Sequence, residues 1–288
     1  MTSPFITEDG LKLKLRDWPG TADRGTVLVV HGLGEHIGRY AHVAARLNAA
    51  GWHVVGFDQR GHGASDGARG ALPDPGPDSD ALLADLAGVI DRVRAERADR
   101  AGPLVLLGHS MGGLVAARFC AEGLASAPAR WHRAVDALVL SSPALDPGMN
   151  VAQKLLLAVL GSLAPNLAVG NGLKPAWISR DPAVVRAYTE DPLVHDRVTP
   201  RLVRFIVDGG RHVLAQAARW RLPTLLLYAG SDRCVAPAGS AAFVRAAPAA
   251  VLTAREFKPL FHEIFNEPEQ GEVFAALETW LGALPARI

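Results

Sequence analysis

At 288 residues, the chain has the length for one sizeable α/β domain or for a core carrying an insertion. Apolar residues make up 49% of it, so a deep core is feasible, and thirty basic against twenty-nine acidic residues leave a formal charge of +1. That balance argues against nucleic acid as a partner and gives no polybasic patch for a membrane surface. Two cysteines, Cys120 and Cys234, are too few for a disulfide framework and read as free core thiols in a reducing compartment. Met1–Phe5 has neither a basic n-region nor an apolar h-region, so no signal peptide is expected and the expected location is cytoplasmic. The longest apolar stretch, Leu155–Val169, is interrupted by Gly161, Ser162, Pro165 and Asn166 and does not qualify as a membrane span.

In chain order, residues 5–18 read as a hairpin, with Phe5–Thr7, a turn at Asp9-Gly10 and alternating Leu11, Leu13 and Leu15. Thr26–His31 is a continuous apolar strand of the buried parallel kind. A helix follows over Tyr40–Ala50, stopped by Gly51, and then a strand over Trp52–Phe57. After the glycine-rich Gln59–Gly70 and a proline-rich loop at Pro73–Pro77, Ser79 is the expected N-cap of a helix over Ala81–Arg97, where Leu82, Leu83, Leu86, Val89, Ile90 and Val93 recur at helical spacing. Leu104–Gly108 and Ala137–Ser141 are two further apolar strands. Strands alternating with helices predict a parallel sheet covered on both faces.

From Gly148 to Leu222 the rhythm breaks, with no convincing strand but helical patterns at Val151–Leu163, Ala183–Tyr188 and Arg201–Arg219. It resumes with a strand at Thr224–Gly230, a helix at Gly239–Ala246, a strand at Val251–Phe257 and a helix at Pro268–Leu281, stopped by Gly282. The expected organisation is an α/β core in two parts, residues 1–147 and 223–288, interrupted by a helical cap over residues 148–222 above the C-terminal edge of the sheet.

The segment Leu104–Gly113, Leu-Val-Leu-Leu-Gly-His-Ser-Met-Gly-Gly, holds one serine between glycines, with a strand before it and a helical stretch, Leu114–Leu124, after it. A strand turning sharply into a helix has no room for side chains at Gly108 and Gly112, and the residue at the apex is strained with its side chain above the sheet. This resembles the nucleophile elbow of the α/β-hydrolases and makes Ser110 the candidate nucleophile. A serine hydroxyl needs a base, usually a histidine oriented by a carboxylate, and in this fold the chain order is serine, acid, histidine. Asp232 follows the strand Thr224–Gly230, and His262 is the only one of the ten histidines beyond it. Asp146, after the preceding strand, is the reserve acid. The oxyanion formed on attack needs two preorganised donors, and the candidates are the backbone N–H groups of Met111 and of Leu33, in the loop after Thr26–His31.

Gly32-Leu-Gly34 with Gly38 and Asp58 also permits a dinucleotide-binding reading, but the glycine spacing is one residue too long and Ser110, Asp232 and His262 stay unexplained. Dehalogenase- or epoxide-hydrolase-type chemistry needs Asp at position 110. No His/Cys/Asp group has metal-ligand spacing, so neither a metal nor any cofactor is expected.

Five segments together resemble the monoacylglycerol lipase and lysophospholipase branch of the α/β-hydrolases. They are His31-Gly-Leu-Gly-Glu-His-Ile-Gly-Arg-Tyr40, Asp58-Gln-Arg-Gly-His-Gly-Ala-Ser-Asp-Gly67, Gly108-His-Ser-Met-Gly-Gly113, Gly230-Ser-Asp-Arg-Cys-Val-Ala-Pro237 and His262-Glu-Ile-Phe-Asn-Glu267. Asp191-Pro-Leu-Val-His195 is similar to that branch's cap. The resemblance implies the α/β-hydrolase fold with a mobile apolar cap, ester cleavage of single-chain acylglycerols, Ser110, Asp232 and His262 as triad, and Leu33 and Met111 as oxyanion donors.

A small lipid ester is therefore the expected substrate. Leu156, Leu160 and Leu163 in the leucine-rich cap are candidate acyl contacts, the cap being an acyl channel, a face for transient membrane contact, or simple packing on the core. Glu35 and Arg39 either order the oxyanion loop by pairing or line a polar wall facing glycerol, and His62 is expected to structure its own loop. Two further functions remain open: a serine aminopeptidase or amidase, whose substrate amine Glu190, Asp191 or Asp196 would hold, and a non-catalytic hydrolase-like binding protein. No oligomeric state follows from the sequence.

Overall fold

The computed structural model describes residues 3–20, 24–73, 80–97 and 102–285. Among the described residues eight α-helices and eleven strands alternate largely as the sequence predicts. The strands are β1 (Phe5–Ile6), β2 (Lys12–Leu13), β3 (Leu15–Trp18), β4 (Thr26–Val30), β5 (His53–Phe57), β6 (Leu104–His109), β7 (Ala137–Ser141), β8 (Val169–Gly170), β9 (Arg197–Val198), β10 (Thr224–Ala229) and β11 (Leu252–Phe257). The helices are α1 (Ala41–Ala49), α2 (Ala81–Glu96), α3 (Ser110–Ala121), α4 (Val151–Leu163), α5 (Pro182–Glu190), α6 (Pro200–Gln216), α7 (Pro237–Ala246) and α8 (Gln270–Gly282).

Seven strands form the central sheet in the order β11-β10-β7-β6-β4-β5-β3. Every pairing is parallel except that of β3 with β5 at the edge. The central strands are apolar on both faces because both faces are covered. Leu28, Val30, Leu106, Leu140 and Leu226 pack with α2, α3, α6 and α7, while the alternate residues Val27, Val29, Val105, Leu107 and Leu227 pack with α1 and α8. Among the described residues no helix is long and apolar enough to cross a membrane.

Three expectations change. The hairpin over residues 5–18 is split: Phe5 faces Leu13 in a small ladder, whereas Leu15 turns into the central sheet opposite Phe57. The glycine-rich loop takes the backbone between them, Lys12 N–H donating to Asp66 and Lys14 N–H to Ser65. The helix after the elbow begins at Ser110 itself and ends at Ala121, because Gly112 and Gly113 let it start without clearing the neighbouring strand. The stretch 148–222 contains one short antiparallel ladder, β8 with β9, two residues a side and too short to show alternation. The proposed cap at Ser79 lies outside the described residues, as does most of the proline-rich loop.

Candidate functional site

The elbow is built from absent side chains. A Cβ on Gly112 would stand 2.2 Å from the Val30 carbonyl oxygen, and one on Gly108 2.5 Å from that of Gly112. With the backbone so close, Ser110 adopts φ 53°, left-handed backbone that costs a non-glycine residue on the order of 1–3 kcal/mol and is retained where the surroundings impose it. Its carbonyl is anchored by the Ala144 N–H at 2.9 Å, so the hydroxyl stands on a fixed support.

Asp232 follows β10, and its Oδ1 accepts the N–H groups of Cys234 at 2.8 Å and Val235 at 3.1 Å. Its Oδ2 lies 2.7 Å from Nδ1 of His262, on the loop after β11. Asp146, the reserve acid, instead turns back to the Gly148 N–H. Burial alone would push the Asp232 carboxyl up, but His262 and the two backbone donors hold it below the ordinary carboxylate value. Burial likewise presses His262 down, yet Asp232, with Glu263 and Glu35 further off, leaves it raised above an ordinary imidazole. The ring of His109 lies 4.7 Å from that of His262, and burial together with His262 drives its own pKa down to about 4, so it stays neutral.

The loop after β4 reaches the elbow from the other side, where a Cβ on Gly32 would stand 3.1 Å from Cβ of Ser110. Leu33 and Met111, the candidate oxyanion donors, both border a cavity that reaches Ser110. Glu35 shapes the loop, accepting from the Gly32 N–H at 2.6 Å, the Tyr40 hydroxyl at 2.7 Å and Arg39 at 2.7 Å. Arg39 also holds both oxygens of Glu263 and lies 4.8 Å from the Tyr188 ring centroid in α5. Burial opposes the charge on Glu35, but Arg39 and its other neighbours keep the carboxyl ionised well below its ordinary value.

Two cavities meet at Ser110. One, of about 340 Å³, is bordered by Glu35, Asp191, His195, Asp196 and His262. The other, of about 430 Å³, is mostly apolar, with Met149, Leu156, Leu160, Val203 and Ile206 in its wall. Leu33, Ser110, Asn171, Leu173 and Cys234 border both. Of the candidate acyl contacts, Leu156 and Leu160 therefore face the apolar cavity, whereas Leu163 is 80% exposed and lies outside its lining. Glu35 borders the smaller, more polar of the two cavities, and Arg39 sits behind it, paired with Glu35 and Glu263.

The sequence did not single out Glu263, Tyr188 or His109, since a charged or aromatic residue beside a catalytic candidate carries no periodicity or spacing of its own. Cys234, expected in the core, is buried but forms part of the cavity wall. His62 does structure its loop, its Nδ1 meeting the Arg60 carbonyl at 2.9 Å.

A mostly parallel sheet with a strained serine between β6 and α3, and an Asp–His pair after β10 and β11, defines an α/β-hydrolase. The chain matches the Hydrolase_4 family, described as serine aminopeptidase S33, over residues 21–269. It belongs to that family and, within it, to the monoacylglycerol lipase and lysophospholipase branch, and is a carboxylic ester hydrolase. It is 35% identical over 286 residues to a monoacylglycerol lipase of Mycolicibacterium smegmatis, covering 96% of this chain and 95% of the relative. The phospholipase YtpA of Bacillus subtilis is 30% identical over 264 residues, with 90% and 96% covered. The crystal structure of a Paleococcus ferrophilus monoacylglycerol lipase superimposes with a TM-score of 0.78 at 36% identity, covering 93% of this chain and 98% of that one.

Proposed function

We propose that this hydrolase cleaves monoacylglycerols, or closely similar single-chain acyl esters, to a fatty acid and glycerol through an acyl-enzyme on Ser110. His262 accepts the Ser110 proton as the hydroxyl attacks the carbonyl and returns it to the departing glycerol oxygen. Asp232 holds the imidazole by Nδ1 and stabilises its charged form. The Leu33 and Met111 N–H groups receive the oxyanion, and water then repeats the sequence on the acyl-enzyme.

The observation that carries the reading is the position of Ser110 at the junction of an apolar and a more polar cavity. An acyl chain fits the first, with Leu156 and Leu160 beside it, and a small polyol the second. Residues 148–222 would then act as the cap over the two core segments, 1–147 and 223–288. The exposed leucines of α4, among them Leu155 at 66% and Leu163 at 80%, would give that cap a transient hold on a lipid surface.

The aminopeptidase alternative needs a carboxylate free to hold an α-amine. Of the acids bordering the smaller cavity, Glu35 and Glu263 are held by Arg39 and Asp191 by His36, while Asp196 stands in solvent beside Arg197. The test is a side-by-side rate comparison across monoacylglycerols of increasing chain length, acetate esters, triacylglycerols and aminoacyl-p-nitroanilides. Each methylene buried contributes up to about 0.8 kcal/mol, so efficiency should climb with chain length until the cavity is full. Flat activity across chain lengths, or faster anilide cleavage, would overturn the assignment.

A further inference from the structure

We propose that Asp232, Cys234 and His262 form a binding site for a thiophilic divalent cation such as Zn²⁺, whose occupancy switches the hydrolase off. Each residue offers a ligand atom of a different kind, carboxylate oxygen, sulfur and imidazole nitrogen, and these three atoms lie within 4.8 Å of one another. Tetrahedral zinc with such ligands spaces its donors by about 3.5 Å, so binding through Nδ1 opens the 2.7 Å Asp232–His262 hydrogen bond while the sulfur closes on the pair. Chain spacing hides this set because residues 232 and 234 follow β10 whereas 262 follows β11, and only the pairing of those strands brings them together.

The surroundings favour binding. Asp232 is held in place by the Cys234 and Val235 N–H groups on its Oδ1, the kind of support that orients a metal-binding carboxylate. Cys234 and His262 both border the 340 Å³ cavity, which gives an ion a path from solvent and leaves a fourth position for water. The sulfur distinguishes this set from a triad alone. Oxygen and nitrogen suit many divalent ions, while a thiolate selects zinc and its softer neighbours over Mg²⁺.

Binding has a simple proton balance. Forming the metal–thiolate bond releases the thiol proton to solvent. Bound through Nδ1, the cation displaces the Asp232 hydrogen bond. Bound through Nε2, it takes the lone pair that would receive the Ser110 proton. Either geometry removes the general base.

Only the inhibition readout rests on the triad reading above; metal binding itself does not. The full-length protein is titrated with ZnCl₂ during hydrolysis of a short p-nitrophenyl ester, with MgCl₂ as the hard-cation control and EDTA for reversal. CoCl₂ is added separately, and the near-ultraviolet thiolate-to-cobalt charge-transfer band is recorded. The expected result is reversible inhibition by Zn²⁺ and not by Mg²⁺, together with that band. Measured against each variant's own activity, Cys234→Ala and Cys234→Ser should raise the half-inhibiting zinc concentration by about tenfold or more, and Cys120→Ala should leave it unchanged. Absence of the cobalt band in the unmodified protein would overturn the proposal, even if neither Cys234 variant folds. So would zinc inhibition that is equally strong without the sulfur, or none at all in an active enzyme.

Discussion

Arg39 donates to both carboxylate oxygens of Glu263, each at 2.7 Å, and Glu263 is the residue that follows His262. The same guanidinium reaches Glu35 in the loop after β4, so one side chain ties the histidine loop to the loop of the proposed oxyanion donor. Truncating one partner in such a cluster leaves uncompensated buried charge, which costs about 3–5 kcal/mol. Arg39→Met is therefore expected to lower the melting temperature sharply and to depress turnover. Arg39→Lys should keep the charge but lose the fork, falling between the two. Thermal unfolding followed by circular dichroism checks the order, and an unshifted Arg39→Met transition would contradict it.

Asp232→Asn should fold normally and lose turnover on the order of 10⁴-fold, because the amide neither stabilises the imidazolium nor enforces its tautomer. Asp146→Asn, whose carboxylate serves only its own turn, should stay near the unmodified rate. The reverse ranking would move the acid to the loop after β7.

The pH profile carries a sign. His262 is raised above the ordinary imidazole value, chiefly by Asp232 working against burial, and a protonated His262 cannot accept the Ser110 proton. The acid limb of kcat/KM should thus lie above the ordinary imidazole pKa, activity falling as pH drops through it. In the residual activity of Asp232→Asn the limb should move to lower pH, since the group favouring the charged ring is gone. A limb that does not move would mean that it reports another group.

Gly112→Ala is expected not to fold, or to fold without activity. The added methyl would stand 2.2 Å from the Val30 and 2.3 Å from the His31 carbonyl oxygens, and this backbone sits in the central sheet with little freedom to retreat. Gly271, at the start of α8 with nothing within 4 Å of a built Cβ, is the matched control, and its alanine variant should be neutral or slightly stabilising. Soluble yield and melting temperature of the pair decide the point.

The sheet was legible because buried parallel strands need continuous apolar runs, as Thr26–Val30 and Leu104–His109 have. Ser110 was legible for a related reason: a tight turn forbids side chains, and glycine at positions 108 and 112 records that. Of the charged ring around the site only the Glu35–Arg39 pair, four residues apart, was legible; Glu263 and Tyr188 come from separated segments that meet Arg39 only after the helices dock. The β8–β9 ladder was hidden for want of length. The leucines of α4 announced themselves by number, but which of them face inward depends on how α4 lies on the core. Leu156 borders the cavity while Leu163 stands in solvent.

That exposed face can be separated from catalysis. Replacing Leu155 and Leu163 together by serine should leave hydrolysis of a soluble short-chain ester unchanged, since Leu163 is 80% and Leu155 66% exposed. Hydrolysis of long-chain monoacylglycerol presented in vesicles should drop, as should co-sedimentation with them. Equal loss on both substrates would place these side chains in folding or in the acyl path instead.

A fluorophosphonate tests the proposed nucleophile directly because it bonds covalently only to an activated hydroxyl. After brief incubation of the full chain, intact mass should show one adduct per molecule, and peptide mapping should locate it on Ser110. Ser110→Ala should fold, take up no label and lose turnover on the order of 10⁶-fold. Label on any other residue, or substantial hydrolysis by the Ser110→Ala protein, would contradict that assignment.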